Sequence, residues 1–273
     1  MKIALTVAGS DSGGGAGIQA DLKTFQQFGV HGTTVIVALT AQNTLGVEAI
    51  HLVPAAMVEA QFAALARDLP PDALKTGMLA TAELVRQAAR IIRAQGWSQY
   101  VLDPVMVATS GDRLLSEDAE AVVRTELVPL ARVVTPNLDE AAVLTGLEVR
   151  DREGMVAAGR RLVEMGAEAA LIKGGHLPGD DLVDLLVTAH GITRYEHRRV
   201  ETRSTHGTGC TVSAGITAGL ALGLAVEAAT ERALDYLQRA IAHAPGLGAG
   251  HGPVDHSVPA MIPSISSATR SPT

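Results

Sequence analysis

Short β-branched runs alternate with longer alanine-rich stretches of helical spacing, and this rhythm limits the fold more than any other feature of the chain. The pattern predicts strands over 3–8, 33–40, 73–76, 99–103, 132–135 and 169–173. Between them it predicts helices over 19–28, 57–68, 83–95, 117–127 and 152–165, and another beginning over 139–144. Such alternation argues for a mostly parallel central sheet in a three-layer α/β/α arrangement. The strands are apolar on both sides, as a doubly covered sheet requires. After residue 173 the rhythm changes. Runs over 182–188 and 192–199, separated by Ala189-His190-Gly191, read as an antiparallel hairpin at a sheet edge. Helical pattern returns from 211 to about 224 and again over 227–243. No internal repeat or linker interrupts the chain, so residues 1–263 read as one domain. Residues 264–273, rich in Ser, Thr and Pro, are expected to be disordered.

Composition removes several classes. The single cysteine, Cys210, excludes an intrachain disulfide framework and cysteine-based zinc modules. A net charge of −7 and 3% aromatic residues argue against nucleic acid as a partner. The apolar N-terminus runs within a few residues into Gly9-Ser10-Asp11-Ser12-Gly13, without a signal-peptide pattern. The apolar stretch 211–229 carries Gly215, Gly219 and Gly223, which suit close packing in a soluble core better than a membrane span. A reducing, cytoplasmic setting is expected, with no membrane partner.

Ligands of open α/β sheets bind beyond the carboxyl ends of the strands. Several polar segments fall where strands should end. Ala8-Gly9-Ser10-Asp11-Ser12-Gly13-Gly14-Gly15-Ala16-Gly17 offers close backbone approach and amide donors, or simply a flexible turn. It lacks the Lys-Ser/Thr pair of a P-loop. Gln42 carries a donor and an acceptor that suit the edge of a heterocycle; the same amide can also cap a loop. Asp103 closes one strand. Asn137, Asp139 and Glu140 follow another, where they can cap a helix or, with Asp103, hold a hard cation. Of four lysines, Lys173 closes a strong apolar strand before two glycines and can neutralise phosphate.

The segment Ser204-Thr205-His206-Gly207-Thr208-Gly209-Cys210-Thr211 is the most informative. Free amides at a glycine-rich helix start form an anion site. Cys210 falls in that first turn, where the helix dipole favours thiolate; the alternative is a buried apolar cysteine. His176, His206, His251 and His256 lack convincing zinc spacing.

Together these segments resemble the ribokinase-like superfamily and, within it, the hydroxymethylpyrimidine/phosphomethylpyrimidine kinases. The resemblance runs from residue 3 to about 256. Its carriers include the glycine-rich segment through Thr24, Ala41-Gln42-Asn43-Thr44, Gly77-Met78-Leu79 and Leu102-Asp103-Pro104-Val105-Met106. They continue with Thr135-Pro136-Asn137-Leu138-Asp139-Glu140-Ala141, Lys173-Gly174-Gly175-His176 and the Thr205–Thr211 segment. The resemblance implies ATP-dependent phosphorylation of 4-amino-5-hydroxymethyl-2-methylpyrimidine and then of its monophosphate, in thiamine biosynthesis. It implies that Gln42 binds the pyrimidine and that Asp21, Met78 and Val105 help enclose it. Asp103 and Glu140 would act on magnesium and phosphates, with Asn137 nearby and Lys173 on ATP phosphate. Gly207, Thr208, Gly209 and Cys210 would form the anion hole. Gly252-Pro253-Val254 resembles the segment near the nucleotide, and a homodimer is expected. The superfamily's sugar kinases usually carry aspartate where this chain has Cys210, which favours the pyrimidine branch. It leaves Cys210 as either a base or a shaper of the anion hole. The rival expectations are a pyridoxal or dual pyridoxal/hydroxymethylpyrimidine kinase, and a non-catalytic binding module on the same fold.

Overall fold

Nine strands form one sheet in the order β3-β2-β1-β4-β5-β6-β7-β8-β9. The strands are β1 (Ile3–Asp11), β2 (His31–Gln42), β3 (Val47–Leu52), β4 (Ala73–Thr76), β5 (Tyr100–Leu102), β6 (Val133–Val134), β7 (Ala169–Ile172), β8 (Asp181–Thr188) and β9 (Gly191–Arg198). The computed structural model describes residues 1–106, 116–175 and 181–260. His176 and the expected tail 264–273 lie outside the described residues. Strands β2, β1, β4, β5, β6 and β7 run parallel, while β3 and the β8–β9 hairpin pair antiparallel at the two sides.

The helices are α1 (Gly17–Gln27), α2 (Ala55–Asp68), α3 (Ala82–Gln95), α4 (Glu117–Val122), α5 (Leu138–Thr145), α6 (Arg152–Glu164), α7 (Thr208–Ala221) and α8 (Val226–Ala242). After α4 the chain widens into a π-turn over Val123–Leu127 and tightens into a 3₁₀ turn over Val128–Leu130. Neighbouring strand residues face opposite layers. Leu102, Val134 and Ile172 pack with side chains of α2 to α6. Val101, Val133 and Leu171 pack with α1, α7 and α8. This alternation explains the apolar runs and makes the three-layer α/β/α arrangement.

Strand β3 is absent from the sequence reading. Its side chains are mostly exposed, so burial does not stamp a period on it. Pairing with β2, not local pattern, makes it a strand. The reach of β1 to Asp11 and of β2 to Gln42 also exceeds the apolar runs, and it carries both polar side chains to strand ends.

Candidate active site

The order of the parallel strands reverses between β1 and β4. The chain goes from β1 to β2 on one side, then builds β4 to β7 on the other. Loops part at such a reversal and leave a crevice at the strands' carboxyl ends. The glycine-rich turn after β1, Gln42 on β2, Met78 after β4, Asp103 and Val105 after β5, Asn137 after β6 and Lys173 after β7 all lie at those ends.

Asp11 organises the glycine-rich turn. Its Oδ1 accepts the Gly13 amide at 2.8 Å, and its Oδ2 accepts the amides of Gly15 and Ala16 at 2.9 Å each. His206 Nε2 reaches the same Oδ2 at 2.9 Å. Burial raises the carboxyl, but hydrogen bonds from His206, Ala16 and Gly13 outweigh it and hold Asp11 below the ordinary aspartate value. The next residue, Gly207, has φ of +81° and caps α7. A β-carbon there would lie 1.9 Å from the Gly15 carbonyl oxygen. Glycine is therefore required at 207 both for conformation and for the close seat of one loop on the other.

Thr208, Gly209 and Cys210 form the first turn of α7. First-turn amides have no intrahelical partner and favour an anion. Lys173 Nζ would lie 3.3 Å from a β-carbon on Gly209 and is 3.7 Å from Asp103 Oδ1. It stands between the anion site and the buried acid. Asn137 and Glu140 make a reciprocal capping box at the start of α5: each backbone amide donates to the other's side chain, at 2.8 and 2.9 Å. Burial pushes Glu140 up to about 7, with Lys173 opposing and the negative charge of Asp103 adding. Capping is thus part of Glu140's role, and its carboxyl is also close enough to Lys173 and Asp103 to feel their charges.

Beneath this surface lies a buried network. Lys75 donates to Asp21 Oδ1 at 2.8 Å and to Ser213 Oγ at 2.7 Å, and lies 3.6 Å from Asp103 Oδ2. Thr6 donates to the other Asp21 oxygen at 2.6 Å, and Ser213 donates to Asp103 Oδ2 at 2.9 Å. Asp21 was expected to help enclose the pyrimidine. Instead its side chain has no exposed area, and both oxygens are engaged inside the protein. It is the counter-ion of Lys75 below the crevice floor. Burial lowers the tendency of Lys75 to hold a proton, but the carboxylates of Asp21 and Asp103 more than reverse this and raise its pKa.

Of the two roles left open for Cys210, base or shaper of the anion hole, its surroundings favour the second. Burial pushes its thiol up to about 12; Lys75 and the Gly17 amide oppose this, while Asp21 and Asp103 add to it. Desolvation and two acids outweigh the helix dipole, so the resting group is a neutral thiol and not a thiolate.

At the other end of the crevice, Gln42 stands near His206 and Thr40. Met78 packs so closely on Gly9 that a β-carbon there would meet its methyl at 2.6 Å. Val105 is half-buried beside the buried Asp103. Gly252 accepts the His206 amide at 3.1 Å, and Pro253 bridges to His206. His251 and His256 stay apart from any metal set: His256 Nε2 pairs with Thr211 Oγ1 at 3.0 Å. Among the described residues no three His, Cys, Asp or Glu side chains cluster as metal ligands. Sequence reading missed Lys75, Ser213 and the pairing of Asp11 with His206. A lysine inside the apolar run Ala73-Leu74-Lys75-Thr76 was the available signal, since a charge there needs a buried partner.

Comparisons with known proteins place the chain in a family. The family described as phosphomethylpyrimidine kinase matches residues 11–255. A hydroxymethylpyrimidine/phosphomethylpyrimidine kinase of Rhizobium meliloti (strain 1021) is 51% identical over 257 residues, covering 93% of this chain and 96% of its own. One from Bacillus subtilis (strain 168) is 44% identical over 254 residues, covering 93% and 94%. Among solved structures, the ADP complex of Bacillus subtilis pyridoxal kinase superposes with a TM-score of 0.88 at 37% identity, covering 94% of this chain and 98% of that one. Motif order, sheet topology and these similarities converge: the chain belongs to the phosphomethylpyrimidine kinase family, a group of kinases on the ribokinase-like fold.

Proposed function

We propose that this protein transfers the γ-phosphoryl group of ATP to the hydroxymethyl oxygen of 4-amino-5-hydroxymethyl-2-methylpyrimidine, then phosphorylates the monophosphate to the diphosphate for thiamine biosynthesis. The observation that carries this reading is the convergence of the α7 first turn, Lys173, Asp103 and Glu140 at one end of the crevice, with Gln42 at the other. Backbone amides of Gly209 and Cys210 face the charge on the transferring group, and Gly207 lets the turn close on the glycine-rich loop. Lys173 neutralises ATP phosphate. Gln42 reads the pyrimidine edge, and Met78 and Val105 provide aliphatic walls.

Asp103 and Glu140 suit magnesium. Both are buried carboxyls, and the raised Glu140 would be relieved by a cation beside it. Magnesium held by Asp103 and Glu140 would supply charge neutralisation. Cys210 serves as a neutral thiol lining the anion hole. Phosphoryl transfer passes through a loose transition state, where positioning and electrostatics matter more than a strong base. The second transfer needs a base still less, because its nucleophile is already a phosphate oxygen.

The kinase unit spans residues 1–263 as one domain and works in the cytoplasm. Among the described residues no helix is long and apolar enough to cross a membrane. A homodimer through the β3 edge is supported by its exposed Ile50 and Leu52, which share one face of the sheet. Light scattering of the purified protein, beside an Ile50→Lys/Leu52→Lys variant, tests it: a monomeric wild type rejects the dimer.

Similarity to pyridoxal kinase supports a second reading, activity on pyridoxal as well. The deciding experiment offers both rings with ATP and magnesium and counts product phosphates. Two phosphates on the hydroxymethylpyrimidine are expected. ADP release with pyridoxal alone overturns the primary reading.

A further inference from the structure

We propose that His206 and Thr40 are positioning residues that set which way round the Gln42 amide faces the substrate, and thereby which heteroaromatic ring is accepted. The inference rests on Gln42 as the ring-reading side chain.

It follows from where the protons must lie. Asp11 is a buried carboxylate that already takes three backbone amides, so its 2.9 Å contact with His206 Nε2 needs a proton on that nitrogen. The Gln42 amide nitrogen stands 3.4 Å from the same Nε2, and its oxygen stands 3.1 Å from Thr40 Oγ1. Thr40 Oγ1 is also 3.0 Å from the Ser10 carbonyl oxygen. A carbonyl only accepts, and a hydroxyl has one proton to give. Donated to Ser10, that proton leaves the Gln42 oxygen facing a lone pair. At the other end, N–H faces N–H.

A half-turn of the amide removes both conflicts without moving another atom. The Gln42 oxygen then shares the one Nε2–H that His206 gives chiefly to Asp11, and its nitrogen donates to Thr40. The two ends of an amide are nearly equal in shape, so their partners decide the orientation. The partners here are fixed references. His206 is buried and held by Asp11, and Thr40 is held by a strand carbonyl.

The consequence is chemical. One N–H and one lone pair of the amide remain for the crevice, in a fixed order. Beside its hydroxymethyl carbon the pyrimidine carries an amino group, a donor, next to a ring nitrogen that accepts. Pyridoxal carries an aldehyde oxygen, an acceptor, at the corresponding place. An amide locked in one sense complements one ring and opposes the other, and a buried mismatch of this kind discriminates strongly.

The test compares Thr40→Val, Thr40→Ser, His206→Phe and Gln42→Ala with wild type. Melting checks the fold, and KM and kcat are measured for both rings and for ATP. Thr40→Val keeps the side-chain shape but removes the acceptor. It should raise the hydroxymethylpyrimidine KM about tenfold, a loss of ~1.4 kcal/mol, with smaller effects on kcat and on the ATP KM. Thr40→Ser should restore the wild-type value. The preference for hydroxymethylpyrimidine over pyridoxal should narrow in Thr40→Val and His206→Phe. If His206→Phe does not fold, the Thr40 pair carries the test. A folded Thr40→Val with wild-type KM and preference, while Gln42→Ala raises KM, overturns the positioning role and leaves the ring-reading role intact. A Gln42→Ala protein with unchanged KM for both rings sinks both.

Discussion

Lys75 Nζ lies 2.8 Å from Asp21 Oδ1, and neither side chain has any exposed area. The pair joins β4 to α1 directly beneath the candidate phosphate site, and through Ser213 it holds the first turn of α7. Breaking a buried ion pair by removing one partner leaves an uncompensated charge, whereas removing both can be nearly neutral. Lys75→Met should therefore cost about 3–5 kcal/mol in urea unfolding, and Lys75→Met/Asp21→Leu should recover most of it. A single variant as stable as wild type would contradict this account of the network.

Cys210 offers a chemical readout. With its thiol pushed up to about 12, the ligand-free protein should react with iodoacetamide at a rate that climbs steadily through pH 10. A plateau near neutral pH would show a resting thiolate. Cys210→Ala keeps the backbone amide and removes only the neutral thiol, so kcat should fall about tenfold, the scale of one neutral hydrogen bond, with a smaller change in the ATP KM; an unchanged kcat would leave Cys210 a packing residue.

His256 gives a dependence on pH. Burial, reinforced by the charge of Lys23 and opposed by Asp255, lowers it from 6.5 to about 4. The unfolded chain then binds the proton more readily, so the contribution to stability is full above pH 6.5 and declines as pH falls toward 4. That shift corresponds to about 3 kcal/mol. A His256→Gln variant should show a flatter stability profile between pH 6.5 and 4, measured by denaturant midpoint. Equal slopes would remove His256 as the cause.

Gly207 is the most constrained backbone position of the site. An alanine would hold a conformation costing about 1–2 kcal/mol and press on the Gly15 carbonyl. Gly207→Ala should lower the melting temperature and reduce kcat more than Gly175→Ala, whose β-carbon would meet nothing. Equal effects would mean that the seat of one loop on the other does not matter.

The layers were legible because burial on both faces writes long apolar runs, as in β7 with its four buried residues. β3 was not, because its exposed side chains carry no such imprint. The helix start at Gly207 and the box of Asn137 with Glu140 follow from local capping chemistry, and both could be read from neighbouring residues. Lys75, Ser213 and the Asp11–His206 pair depend on partners remote in sequence: the apolar run around Lys75 signals that a partner is needed, but no local pattern says which residue it is. The protonation of Cys210 is likewise a sum over distant groups. The helix dipole was visible, and Asp21 and Asp103 were named, but their placement around the buried thiol was not.

Asp11 and His206 are 195 residues apart, yet they fasten the glycine-rich turn to the helix that faces it. Closing so long a loop is entropically expensive and comes late in folding. A chain still emerging from the ribosome can lay down the first strands and helices, but the candidate anion seat is incomplete until α7 has been made. Nucleotide affinity should then report the docking of α7: fragments ending before residue 206 will not retain nucleotide, and competence arrives in one step once His206 meets Asp11.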